Sequence, residues 1–216
     1  MNKAEVEKLL DGPSIVAASG ASKAMSSDNR NVRVAALRVV KSIAGRDDFD
    51  AASQAEAAEV ILKGLQDPKR RVRWNAAKCA GLFLSYPQVV EGLQAITENE
   101  QEKRKIRFTA LFVLSDSRDL PAPAMDALRD MAEIPKHRAT MLLILLRADL
   151  TEPVEEMLRE FVRDGTREEA VLATRALCGY KVAHIQSLDE EARKALTPED
   201  RAMSSTSNTW WWVRRD

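Results

Sequence analysis

Basic side chains spaced in register are the residues of this 216-residue chain best suited to do chemistry. Lys69, Arg70, Arg71 and Arg73 form one cluster, and Lys103, Arg104, Lys105 and Arg107 form a second. Arg30 with Arg33 precedes them, and Lys136 with Arg138 follows. Between residues 69 and 107 nine Lys and Arg, Lys78 included, stand against four acids (Glu91, Glu98, Glu100 and Glu102), although the whole chain balances 33 cations against 33 anions. Cations grouped in this way attract carboxylates or phosphates. Aromatic residues are interleaved with them: Trp74 and Phe108 occupy the position that Val34 holds in the first cluster, two residues after Val72, Ile106 and Val32. A second aromatic and basic group, Trp210, Trp211 and Trp212 with Arg214 and Arg215, closes the sequence after a polar Ser/Thr/Asn stretch. Tryptophan and arginine are the residue types that anchor protein interfaces. The residues expected to bind a partner are therefore Arg30, Lys69, Arg70, Arg71, Trp74, Lys103, Arg104, Lys105, Phe108 and this terminal group.

Catalytic and metal chemistry finds few residues to work with. Gly20 and Lys23 superficially suggest a phosphate loop, but the spaced second glycine before a Lys-Ser/Thr pair is missing, and the segment reads as a turn. No G-x-S-x-G, HExxH or C-x-x-C occurs, and the histidines are His137 and His184 alone. No metal site, no cofactor and no enzymatic activity are expected. Asp47, Asp48 and Asp50 lack the glycine and closing glutamate of a calcium loop and are expected to cap the next helix. Cys79 and Cys178 lie in apolar helical surroundings and are expected to be buried free thiols of a cytoplasmic protein. The first residues lack the apolar core of a secretory leader, and the longest apolar run, residues 141–146, is too short to span a bilayer.

Helices are what must position the basic clusters. Aromatics are 5% and glycine and proline eight each, in a chain rich in Ala, Leu, Val, Glu and Arg. The pair Val32-Arg33 recurs as Val72-Arg73 and Ile106-Arg107, at spacings of 40 and 34, with fainter copies near 137 and 169. Small residues follow each clear copy: Ala35 and Ala36, Ala76 and Ala77, Ala110. Each copy follows an upstream helix, expected over 51–66, 87–98, 122–133 and 152–162. Prolines at 68, 87, 121, 123, 135 and 153 mark starts, and Gly45 and Gly179 mark stops. No alternating strand pattern of useful length is visible. A helix pair cannot bury its apolar face alone, so successive pairs must stack. The fold class expected is all-α, an α-α superhelix of about five to six helix pairs, with the solenoid over residues 1–200 and a linker and tail over 201–216.

The turn aspartates (Asp28, Asp67), the Val/Ile-Arg pairs and the small residues after them resemble the HEAT-repeat family, clearly over 28–115 and loosely over 116–180. The resemblance implies a ladder in which Asp and Arg pair between neighbouring repeats. Asn99 and Glu100 stand in the third repeat where the aspartate belongs, so the ladder is expected to end there. It also implies a non-enzymatic scaffold or adaptor that binds a protein partner through its concave face and the basic edge of its second helices. A nucleic-acid binder related to the HEAT-like DNA alkylation-repair glycosylases is the alternative, opposed by the zero net charge and by having one tryptophan within the repeats. Resemblance to the HEAT-like phycobilin lyases rests on the repeat alone.

Overall fold

The computed structural model describes residues 1–115, 120, 122–132, 137–184 and 210–214. The chain divides into two compact units, Met1–Leu114 and Ser115–Asp216.

Unit 1 is built from helical hairpins. A short helix, α1 (Lys3–Glu7), precedes α2 (Ser14–Ala24), α3 (Arg30–Ile43), α4 (Ala51–Leu65), α5 (Arg70–Ala80), α6 (Pro87–Glu98) and α7 (Arg104–Leu114). Alternate helices pack side by side, so α2, α4 and α6 form one layer, and α1, α3, α5 and α7 form the other. The stripe of apolar residues along each helix supplies the seam. On α4 it is Ala57, Ala58, Val60, Ile61 and Leu65, on α5 Val72, Ala76, Ala77 and Ala80, all buried. Small residues set how closely the layers approach. A Cβ on Gly64 would sit 2.8 Å from the Ala76 Cβ and 3.0 Å from Leu37 Cδ2, so α4 and α5 meet at a point with no space for another carbon.

The starts fall where the sequence places them. Pro87 opens α6, and the Asp50 side chain accepts from the Ser53 amide at 2.8 Å to cap α4. Asp48 behaves differently from expectation. It reaches back across the hairpin to α2, accepting the Ser14 amide at 2.8 Å and the Ser14 hydroxyl at 2.6 Å. Pro13 at the N-cap of α2 has no side-chain acceptor to offer, so a carboxylate 34 residues downstream satisfies the helix end. Gly20 also departs from the expected turn. It is buried within α2, where a Cβ would meet Leu9 at 2.7 Å.

Unit 2 repeats the hairpin plan with α8 (Ala122–Ala132), α9 (Arg138–Arg147), α10 (Glu152–Asp164) and α11 (Arg167–Leu177). Thr166 and Glu169 make a capping box at the start of α11, and Gly179, at φ +90°, turns the chain after its end. The all-α architecture carries one addition absent from the expectation. Tyr180–His184 (β1) pairs antiparallel with Trp210–Arg214 (β2), with Val182 opposite Trp212. Both segments are rich in aromatic and β-branched residues, which suit strands, but neither alternates polar and apolar long enough to be read as one. Arg215 and residues 185–209, including the polar stretch before the tryptophans, lie outside the described residues.

The cysteines differ from each other. Cys79 is buried, and burial pushes its thiol up to about 11. Cys178 is exposed at the end of α11, contrary to the expectation of two buried thiols, because it sits at the C-cap beyond the last buried residue of that helix. Among the described residues no helix is long and apolar enough to cross a membrane.

Candidate partner-binding surface

The recurring arginine of each Val/Ile-Arg pair is committed to structure. Arg33 is 7% exposed and clamps Asp67 with two parallel bonds, Nε to Oδ2 at 2.5 Å and Nη2 to Oδ1 at 3.0 Å. Its Nη1 donates to the carbonyls of Ser27 and Asp28 in its own hairpin turn. Asp67 in turn accepts the Lys69 amide at 2.7 Å and so finishes the start of α5. Each rung therefore ties the turn of one repeat to the helix start of the next.

The ladder does not end at the third repeat. Glu102, immediately before Lys103, takes the place of the missing aspartate. Arg73 Nε donates to Glu102 Oε2 at 2.5 Å, Arg73 Nη1 donates to the Asp67 carbonyl, and the Lys103 amide donates to Glu102 Oε1 at 2.8 Å. The longer side chain compensates for a position closer to the helix. Arg107 Nε donates to the Thr97 carbonyl. In unit 2, Arg138 on α9 bonds Glu169 on α11 at 3.2 Å with its guanidinium 4.5 Å from the Phe161 ring.

These acids are held ionised. Burial alone would raise the Glu102 pKa, but the hydrogen bonds from Arg73 and the Lys103 amide, with the charges of Arg73 and Arg70, bring it below its ordinary 4.5. Glu169 is lowered against burial in the same way, chiefly by the Thr166 amide and Arg138, and Asp48 is lowered chiefly by Ser14. A depressed folded pKa means stabilisation that is complete above the unfolded value and lost as pH falls through the folded one. The melting temperature is expected to stay level from neutral pH to about 5, then to drop steeply with acid. Glu102→Gln should melt lower at neutral pH and show a shallower acid drop in pH-dependent thermal melts.

With the ladder arginines accounted for, the remaining cations define a surface. None of the residues of α3, α5 or α7 is Asp or Glu. Four on α3 (Arg30, Arg33, Arg38, Lys41), four on α5 (Arg70, Arg71, Arg73, Lys78) and three on α7 (Arg104, Lys105, Arg107) are basic. Once Arg33, Arg73 and Arg107 are set aside, all the others are exposed. The opposite layer carries Glu56, Glu59, Glu91 and Glu98 on α4 and α6. Zero net charge thus conceals a polarised unit, cationic on one layer and mildly acidic on the other.

Most of the expected binding residues come together on that cationic layer. Lys69, Arg70, Lys103 and Arg104 crowd the helix starts, with Arg70 3.8 Å from Glu102. Arg30 opens α3, and Arg71, Trp74, Lys105 and Phe108 lie further along α5 and α7. Trp74 is half-buried and bridges the two helices: its indole Nε1 donates to Thr109 Oγ1 at 3.2 Å, while Lys105 and Lys78 place their ammonium groups 4.1 and 4.9 Å from the ring centre. Trp210, Trp211, Trp212 and Arg214 are in β2 of unit 2, separate in sequence from this surface. Arg38, Lys41 and Lys78 were not among the expected site residues. The signal that finds them is the lack of any acid along each whole helix, which becomes visible once the helix bounds are known.

Two layers of stacked hairpins joined by an Arg-to-acid ladder define a helical-repeat solenoid. The family model for HEAT repeats matches residues 19–115, the same stretch that carries the ladder, and over it the chain is similar to the HEAT repeats. No curated protein matches the chain. Among the described residues there is no group of three metal-donating side chains.

Proposed function

We propose that the chain is a non-enzymatic cytoplasmic scaffold or adaptor that engages a protein partner through the cationic layer of unit 1. The observation that carries this reading is the set of exposed cations on three adjacent helices without one acid among them. Cations at helix starts oppose the helix dipole. Lys69, Arg70, Lys103 and Arg104 therefore make their own helices slightly less stable, a cost that a binding role offsets. HEAT repeats are generally interaction scaffolds that act through extended surface rather than a pocket, and this agrees with the absence of a catalytic motif from the sequence. Trp210, Trp211, Trp212, Arg214 and Arg215 form a second contact in this proposal, on the strength of residue type.

The test is a paired affinity purification. The full chain and a variant with Lys69, Arg70, Lys103 and Arg104 changed to Glu are compared by mass spectrometry of what they retain. Circular dichroism and a thermal melt check the fold of the variant, since Arg70 lies 3.8 Å from the ladder acid Glu102 while the other three side chains stand clear of the ladder. Specific protein partners should be lost from the variant. Retention of the same partners by both would return the cations to the status of solvated surface. Loss of nucleic acid alone, with steep salt dependence, would favour the nucleic-acid alternative.

A further inference from the structure

Lys78 and Lys105 set an electrostatic problem that unit 1 does not solve internally. One comes from α5 and the other from α7, both are exposed, and both ammonium groups lie over the same indole, that of Trp74. Neither has an ion-pair partner among the described residues, whereas Arg33, Arg73 and Arg70 each have an acid within 4 Å. Two like charges converge on one ring with no counter-charge, and the ring is fixed by its bond to Thr109. The indole face offsets part of the repulsion by attracting both cations, which holds the pair in place rather than letting the side chains splay apart.

We infer that Lys78 and Lys105 over Trp74 form a carboxylate-binding centre, and that its occupant is an acidic, Asp/Glu-rich segment of a protein lying across α5 and α7. This rests on the reading of the cationic layer as the partner-binding surface and names the class of partner. Three observations favour carboxylates over a nucleic-acid strand. The ring that would have to stack a base already carries two ammonium groups. Its N–H is already donated to Thr109, so the indole edge has no donor left for a base or phosphate. The chain's net charge is zero, so the long-range field that gathers a polyanion is weak, while a side-chain carboxylate needs only the local pair. Spacing agrees as well. Packed helices lie about 8–10 Å apart, close to the rise of about 10.5 Å over seven residues of a helix. Acids two turns apart on a partner helix could therefore meet neighbouring helices of this layer.

The experiment is a fluorescence-anisotropy titration of the full chain with two probes, a fluorescein-labelled Glu-rich peptide and a labelled single-stranded oligonucleotide of equal charge. The peptide should bind saturably and tighter than the oligonucleotide. Lys78→Glu with Lys105→Glu should weaken the peptide about tenfold or more. Lys23→Glu with Lys63→Glu, the same charge change on the opposite layer, should alter it less than about twofold. A Lys78→Gln/Lys105→Gln variant, with circular dichroism of each protein, guards against reading a misfolded reversal as lost binding; it should also weaken the peptide. Peptide binding that survives both Lys78/Lys105 variants but fails with the Lys69, Arg70, Lys103 and Arg104 reversals would refute the centre and leave the partner-binding layer standing. Tighter binding of the oligonucleotide, lost in the same double variants, would overturn the acidic-segment assignment. Binding of neither probe would refute the centre, with the affinity purification above deciding the broader reading separately.

Discussion

Ala76→Asp is expected to cost about 4 kcal/mol or more, enough to unfold much of a marginally stable unit at ordinary temperature. Ala76 is 0% exposed and faces Gly64 across a close contact between α4 and α5. The aspartate would bring a carboxylate into a contact already too tight for one added carbon on the facing glycine. Overpacking and an unpaired buried charge would then act together. A thermal melt of the variant should show a large fall in midpoint or no cooperative transition. Gly64→Ala probes the same seam by sterics alone and should destabilise less, because the contact must open only far enough for a methyl group. A melt unchanged in Ala76→Asp would place that face of α5 in solvent.

Asp67→Ala is the second large effect expected. Removing the carboxylate leaves the Arg33 guanidinium, 7% exposed, with two carbonyls and the weaker charge of Asp28 but without its bonded counter-charge. The hydrogen bond and charge of Asp67, with a smaller contribution from Asp28, raise the Arg33 pKa against burial, and a guanidinium does not shed its charge. Breaking one side of such a pair costs about 3–5 kcal/mol. The same substitution removes the acceptor for the Lys69 amide and weakens the start of α5. Chemical denaturation should show the loss. Replacing both partners with apolar residues, Arg33→Met with Asp67→Leu, should recover a substantial part of it, because no buried charge is then orphaned.

Much of this architecture is legible in the residues themselves. The Val/Ile-Arg recurrence placed α3, α5 and α7, and the upstream helices α4, α6, α8 and α10 start at the expected residues, with Pro87 and Pro153 in the first turns of α6 and α10. What resisted reading has physical causes. Glu102 stands four residues before Ile106, as Asp28 stands four before Val32, but it is a glutamate in a turn whose Asn99 and Glu100 drew the comparison, and nothing local shows that its longer side chain reaches Arg73. Asp48 caps a helix 34 residues upstream, and no local signal marks a cap supplied across a hairpin. Gly20 resembled a turn because glycine commonly marks one, but its actual role is to admit Leu9 against α2. The β1–β2 pairing joins five-residue segments 30 positions apart, too short to carry periodicity and too distant to form a hairpin signal. For the binding surface, the clusters at 69–71 and 103–105 were readable as charge. That Trp74 unites them with Lys78 depends on how α5 and α7 lie side by side, which the linear sequence does not encode locally.

The shared use of Asp67 and Glu102 has a consequence for how unit 1 comes apart. Each acid completes the first turn of its own repeat while neutralising a cation anchored in the repeat before it. A terminal hairpin that peels away therefore takes with it the counter-charge of its neighbour, and the cost falls on the part that stays folded. In the language of one-dimensional repeat arrays, the coupling between neighbours is strengthened relative to the stability of each hairpin alone. Fraying from the end is suppressed, and residues 19–115 should melt as one cooperative block rather than repeat by repeat, keeping the cationic layer intact or losing it whole.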